Sequence, residues 1–384
     1  MANGSIRRYC IVCLLIGFLS LGAGSYASNV MVPTLELITR AYSDAGIFAL
    51  ATYGGMEIAF DGGYKFGGSV AFEYASTVLE QPAPENGLTF KRAAVTVREP
   101  FSLPISFSWF IGKNDLLCEG DAFSAVFGTL PIMTRYRGYM TFPDGVAYDG
   151  IHGINGTGFR FAITPFPEAL QFSLYAYQDS NFLIDIVLPD GSIREVLDPG
   201  KFSADVRVLA DFGYLKSEAF FGATLDTIYG CYRGGILFYA AGGETVEFLA
   251  QIGVPLYDPV RGPAFSINHF YILFEPRLHV GVFSVTPTFF WHPGFYYQKP
   301  TEESGSFDVN LDLAFGDLTE FGLRGGLESN FRFISEGNAF RFRESPYILI
   351  QAMGMLWSLK LDVQLEWPLT PGSFSGMIGI KAEF

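Results

Sequence analysis

In the stretch WSLKLDVQLEWPL, residues 357–369, apolar and polar positions alternate. Trp357, Leu359, Leu361, Val363, Leu365 and Trp367 share one face of a strand, and Lys360, Asp362, Gln364 and Glu366 share the other. A soluble sandwich strand alternates in the same way when one face meets a core. The two tryptophans separate these cases. Ten residue steps at about 3.3 Å, tilted by about 40°, place them roughly 25 Å apart, about the height of a lipid-facing band bounded by aromatic girdles. The segment reads as a transmembrane strand with Trp357 and Trp367 in those girdles.

The same period recurs over residues 340–351, 321–333, 307–315, 278–290, 265–274, 246–254, 202–212, 170–176, 159–163 and 105–111. Near the start of this series, Met56 to Phe60 turns through Asp61-Gly62-Gly63 into Tyr64, Phe66, Gly68, Val70, Phe72 and Tyr74, a hairpin signal. The chain ends in FSGMIGIKAEF, where Phe374, Gly376, Ile378, Ile380, Ala382 and Phe384 share a face opposite Lys381 and Glu383. Short links are expected at 352–354, 316–320, 275–277, 241–243 and 164–168, and longer ones at 291–306, 255–263, 184–201 and 138–155. Short periplasmic turns and long external loops alternate in this way around a barrel. The expectation is an all-β fold: a transmembrane antiparallel up-and-down β-barrel of about 16–18 strands, closed by the C-terminal strand.

Composition agrees with a membrane solvent. The chain has 44 Gly, 39 Phe and 20 Tyr, and its mean hydropathy is positive. After residue 27 the longest apolar run, PYILIQAMGMLWSL (residues 346–359), is too short for a bilayer helix and contains Gln351 and Gly354. A closed barrel is the other way to satisfy backbone polar groups in lipid.

Arg7 and Arg8, the apolar stretch 11–24 and Ser25-Tyr26-Ala27 form a secretory signal peptide over residues 1–27. Cys10 and Cys13 precede most of that apolar region, which argues against a lipid anchor. Removing it takes away two arginines and no acid. The mature chain then carries 23 basic and 39 acidic side chains, a net charge near −16. This balance disfavours nucleic acid as a partner.

Residues 28–50 alternate poorly, and Leu35, Ile38, Ala41, Tyr42 and Ala45 have helical spacing. They are expected to form a periplasmic N-terminal tail or small plug, leaving residues 51–384 as the barrel. Cys118 maps to a periplasmic link and Cys231 to an external turn, at opposite ends, which forbids a disulfide between them.

Catalytic patterns are absent. The histidines 152, 269, 279 and 292 form no His-x-x-x-His pair, and there is no Gly-x-Ser-x-Gly elbow. The glycine-rich GIHGINGTGF, residues 150–159, lacks the Lys-Ser/Thr ending of a phosphate cradle and reads as an external loop entering a strand at Thr157. No enzyme activity, cofactor or metal is expected.

The collective chemistry lies on the faces opposite the apolar ones. Asp205, Arg207, Asp211, Glu247, Asp308, Asp312, Glu328, Arg332, Lys360, Asp362 and Glu366 are the candidate lumen-lining residues. Charges of both signs on one surface imply a wet interior. Because acids outnumber bases in this set, mild cation preference is expected; the alternative is that acids and bases pair across the lumen and cancel.

The signal peptide, the aromatic-edged strands and the Phe384 ending resemble a bacterial, Gram-negative-type outer-membrane β-barrel of porin-like character over roughly residues 50–384. That resemblance implies an outer-membrane location, lipid as a partner, recognition of the C-terminal Phe384 strand by the barrel assembly machinery, and passive diffusion of small solutes. Two alternatives stay open. One is a hydrophobic-ligand uptake barrel like the long-chain fatty-acid transporters, with residues 28–50 as a plug, although SNVMVPTLELITRAYSDAG lacks their Asn-Pro-Ala hatch signature. The other is a surface adhesin or structural barrel.

Overall fold

A computed structural model describes residues 29–44, 47–63, 65–76, 87–135, 150–187, 193–197, 201–225, 230–243, 245–260, 262–294, 306–318, 322–334, 339–365 and 369–383. The strands are β1 (Asn29–Asp44), β2 (Ile47–Asp61), β3 (Phe66–Ser76), β4 (Gly87–Arg98), β5 (Ile105–Leu117), β6 (His152–Phe166), β7 (Leu170–Asp179), β8 (Leu183–Val187), β9 (Ile193–Leu197) and β10 (Phe202–Asp211). They continue as β11 (Leu215–Leu225), β12 (Gly230–Gly242), β13 (Val246–Tyr257), β14 (Tyr271–Val280), β15 (Phe283–Trp291), β16 (Phe307–Asp317), β17 (Leu323–Ile334), β18 (Ala339–Ala352), β19 (Met355–Gln364) and β20 (Phe374–Glu383). Eighteen of them form one antiparallel sheet in which sequence neighbours pair, and β8 and β9 make a separate hairpin between β7 and β10. The sheet closes because β20 pairs with both β19 and β1, from Thr34↔Glu383 to Tyr42↔Ser375. Closure leaves no strand edge unpaired.

The period-two pattern fixes which way each side chain faces. In β19 Trp357, Leu359 and Leu361 are exposed on the outside, while Ser358, Lys360 and Asp362 are buried within. In β16 Leu313 and Phe315 face out, and Asp308, Asn310 and Asp312 face in. A belt of Phe, Leu and Ile so exposed around a closed cylinder is solvated by hydrocarbon. One acid breaks the pattern: Glu344 lies on the outer face of β18, where Ser329 of β17 donates to it at 2.9 Å.

Turns follow local chemistry. Gly62 N–H donates to Phe66 O at 3.1 Å and Gly63 takes φ +91°, as the Asp-Gly-Gly signal predicts. The β18–β19 hairpin turns on Met353 and Gly354, both at positive φ, the conformation that matches the strand twist.

Four expectations are corrected. Residues 28–50 are neither tail nor plug: residues 29–44 are β1, in register with β2 and β20. Their spacing looked helical because Ile38 and Tyr42 turn inward among Glu36 and Arg40, against Ala51 and Met377, while Leu35 and Leu37 lie outside. Residues 275–277 are no turn but the middle of β14, and the hairpin turns at Gly281 instead; Pro276 sits on the outer face of β14, between two buried charged residues. The GIHGINGTGF segment is largely strand β6, and its glycines admit β7: a Cβ on Gly156 would lie 1.9 Å from Gln178 O. Finally, Cys118 and Cys231 both border connections at the long-connection end, and both thiols are free.

The β5–β6 connection does not stay outside. After Leu117 it folds into the barrel, carrying a short helix α1 (Ala122–Phe127). Cys118, Phe123, Ile132 and Ile151 pack with the inward side chains Phe110, Tyr175, Leu209, Phe220, Leu237 and Leu249 in one apolar cluster. Residues 1–27, read from the sequence as a signal peptide, and Tyr64, Glu366, Trp367 and Phe384 lie outside the described residues.

Candidate functional site: the barrel interior

Inward positions on the strands build an interior of ion pairs. Arg233 grips Asp205 with two bonds, Nε to Oδ1 at 2.6 Å and Nη2 to Oδ2 at 2.5 Å, while Tyr177 and Thr224 complete its surroundings. The planar fork of arginine suits such a two-point contact. Arg207 Nε lies 2.8 Å from Glu218 Oε1, Arg332 holds Asp308 at 2.8 and 2.7 Å, and Lys360 holds Glu328 at 2.6 Å. Lys216 pairs with Asp211 and Arg324 with Asp312. Removing one member of such a buried pair strands the other, at a cost of about 3–5 kcal/mol.

The inward connection is tied to the wall by the same kind of chemistry. Cys118 N–H donates to Glu218 Oε1 at 2.6 Å, and Gln251 Nε2 donates to Cys118 O at 2.6 Å. Lys216 donates to Thr129 Oγ1 at 2.8 Å. At the far end, Glu275 accepts from Thr134 Oγ1 at 2.5 Å, from Arg135 N–H at 3.0 Å and from Thr288 Oγ1 at 2.8 Å. Arg277 donates to Glu275 at 2.8 Å, to Met133 O at 2.6 Å and to Glu247 at 2.9 Å. These polar anchors lie on β11–β15, and the apolar packing of the connection extends back to β5–β7, so the connection covers the arc from β5 to β15. Opposite, Lys91–Glu73 and Arg92–Glu57, both 2.5 Å pairs on β2–β4, remain partly exposed, and Arg341 and Arg343 of β18 are exposed. Water reaches that side.

Of the residues read from the sequence, Asp205, Arg207, Asp211, Asp308, Asp312, Glu328, Arg332, Lys360 and Asp362 are buried on the inner face, and Glu247 is partly buried there. They do not form one cluster. Arg207, Asp211 and Glu247 lie under or beside the connection, while Glu328, Lys360 and Asp362 form a separate group, with Asp362 Oδ1 3.8 Å from Lys360 Nζ. Each of the seven described acids has a basic partner, so the pairing alternative describes this set better than a one-signed wall. Trp357 lies on the outer face.

The partners were missed for definite reasons. Glu275 and Arg277 flank Pro276, which reads as a turn. Lys216, Glu218 and Arg233 belong to strands whose inward faces also carry Phe220, Leu237 and Tyr239 for the connection to pack on, so their alternation is blurred. The inner-face parity of β11, set by its pairing with β10, is the signal that would have found Lys216 and Glu218.

No protein-family model and no curated protein matches the chain. Solved structures do. OccAB2 of Acinetobacter baumannii superposes with a TM-score of 0.56 at 12% identity, covering 94% of this chain and 99% of that one. The outer membrane protein OpdK of Pseudomonas aeruginosa gives 0.52 at 11%, covering 93% and 99%. A mutant of the Rh. blastica porin gives 0.51 at 9%, covering 93% and 100%. At such identities the likeness concerns architecture over nearly the whole length: the chain has the porin fold, a closed antiparallel 18-stranded β-barrel of the bacterial outer-membrane type.

Proposed function

We propose that this protein is an outer-membrane channel through which small hydrophilic solutes diffuse passively. The observation that carries the reading is the division of the interior: a connection hydrogen-bonded to β10–β15 and packed on inward side chains from β5 round to β15, beside partly exposed charged pairs on β2–β4. A wet, charged path beside a fixed constriction sorts solutes by size and charge. In this reading outer-membrane lipid solvates the outer face, the assembly machinery receives the strand that ends at Phe384, and the barrel performs no catalysis. The similarity to a porin and to OccAB2 supports the reading at the level of fold.

Cation preference has no support among the described residues of this interior, since the seven described acids that suggested it each pair with arginine or lysine. The fatty-acid-transporter alternative loses its plug, because residues 29–44 are wall. Planar-bilayer recordings of refolded protein test the proposal: discrete conductance steps are expected, and a sealed barrel that never conducts would instead favour a structural or adhesive role.

A further inference from the structure

Strands β14 and β15 keep a single register from Ile272↔Trp291 to Val280↔Phe283, yet Glu275, Pro276 and Arg277 make no ladder pairing with β15. The register runs on from Phe274↔Phe289 to Leu278↔Val285, which sets Pro276 opposite Pro287. In an antiparallel ladder, alternate opposed residues exchange two N–H···O bonds, and proline has no N–H to give. Prolines on both sides of one such position remove both bonds, and the pairings at 275 and 277 depend on the same two bonds. Toward its other neighbour each proline is regular, as Phe248↔Pro276 and Pro287↔Leu311. Proline is ordinarily confined to sheet edges and bulges. Here two of them face each other inside a closed wall and leave a seam between β14 and β15.

Side chains cover the seam on both faces. Outside, the Phe274 ring packs on Phe248 and Phe289, with centroids 4.7 and 6.1 Å away. Inside, Thr288 Oγ1 of β15 donates to Glu275 Oε2 of β14 at 2.8 Å, a side-chain bond where the ladder is missing. The same carboxylate accepts from Thr134 Oγ1 and Arg135 N–H of the inward connection, and Arg277 donates to Met133 O. Thr286, opposite Arg277 in this register, is buried, and among the described residues its hydroxyl has no hydrogen-bond partner. The described end of the connection is therefore seated where the wall lacks backbone bonds of its own.

We propose that the β14–β15 seam is a line along which the wall spreads, and that residues 133–135 are the strap that holds it shut. At the prolines, parting the strands breaks no backbone hydrogen bond. It breaks the Thr288–Glu275 bond and disturbs the carboxylate that grips Thr134 and Arg135. Because one side chain makes all three contacts, spreading of the wall and release of the connection are a single movement, and the constriction becomes adjustable. Its effect on current rests on the channel reading; the seam does not.

Amide hydrogen exchange and single-channel recording, both on the full barrel in lipid, test the strap. The reporters are the amides that flank the prolines, at Phe274, Leu278, Val285 and Phe289. The references are Asn330 and Phe331 of β17, whose ladders are unbroken on both sides. In the wild type the seam amides should exchange about tenfold or more faster than the references, as a locally opening segment does. Thr134→Val removes the hydroxyl from the clasp; it should speed the seam amides about tenfold further, the equivalent of one hydrogen bond to a charged group, and make steps to a higher conductance more frequent. Pro276→Val combined with Pro287→Val supplies both missing donors and should slow the seam to the reference rate. Equal exchange at seam and reference in the wild type, or an unchanged seam in Thr134→Val, would overturn the strap. A seam that exchanges as expected in a barrel that never conducts would overturn the channel reading alone.

Discussion

Thr134 donates its hydroxyl hydrogen to Glu275 Oε2 across 2.5 Å, joining residues 141 positions apart in sequence. That bond belongs to the clasp that holds the described end of the inward connection. Glu275 is fully buried and receives donors from the connection, from β15 and from Arg277. Glu275→Gln keeps the volume but leaves Arg277 without its nearest counter-charge. The expected result is a loss of about 3 kcal/mol or more in unfolding free energy, with larger and noisier single-channel conductance as the connection loosens. Unchanged stability and conductance would show that the clasp does not position the constriction.

The start of the same connection is open to a chemical test. Cys118 is fully buried, its N–H and C=O held by Glu218 and Gln251, whereas Cys231 is only partly buried. A hydrophilic maleimide should label the folded barrel at Cys231 and spare Cys118 until the protein is unfolded. Rapid modification of Cys118 in folded protein, read by mass spectrometry, would mean that the connection is not seated where it is described.

Close packing around the buried pairs makes Gly222 sensitive. A Cβ there would fall 1.8 Å from Asp205 Oδ1, which Arg233 holds in place. Gly222→Ala should therefore cost about 1–3 kcal/mol. Gly376→Ala, where nothing lies within 4 Å, should change stability by less than about 0.5 kcal/mol. Denaturant titrations of both variants decide; equal effects would place the Asp205–Arg233 pair elsewhere.

The solvent of the outer face is tested at Leu361, exposed on β19 four residues from Trp357. Leu361→Arg should destabilise folding into lipid vesicles by about 2–4 kcal/mol, the cost of a cation near the bilayer midplane. A barrel whose outer face met water would tolerate the arginine.

Strand identity and facing could be read from the chain wherever one face was oily and the other charged. β16 and β19 are such cases, with Asp308, Asp312, Lys360 and Asp362 pointing inward as alternation requires. Period two is a local property of the pleat and needs no knowledge of neighbours. The same rule fails where the interior is itself apolar. β1 looked helical because Ile38 and Tyr42 turn inward against Ala51 and Met377, and β11 and β12 were blurred by Phe220, Leu237 and Tyr239, which wait for a loop that arrives from β5.

The sequence by itself thus determined a closed, membrane-solvated barrel, because hydrogen-bond closure and an alternating oily face leave a chain of this composition little else to do. Only the tertiary structure decided which charges meet. Asp205 and Arg233 lie 28 residues apart, and Thr134 and Glu275 far more; such pairs are made by strand register and by the path of one inward connection. Register is a cooperative property of the whole cylinder, since the stagger of each strand depends on its neighbours and on the closure of β20 against β1. Charge composition therefore suggested a cation-attracting wall, whereas the assembled barrel pairs the described acids of that set with arginine and lysine and leaves Arg341 facing water.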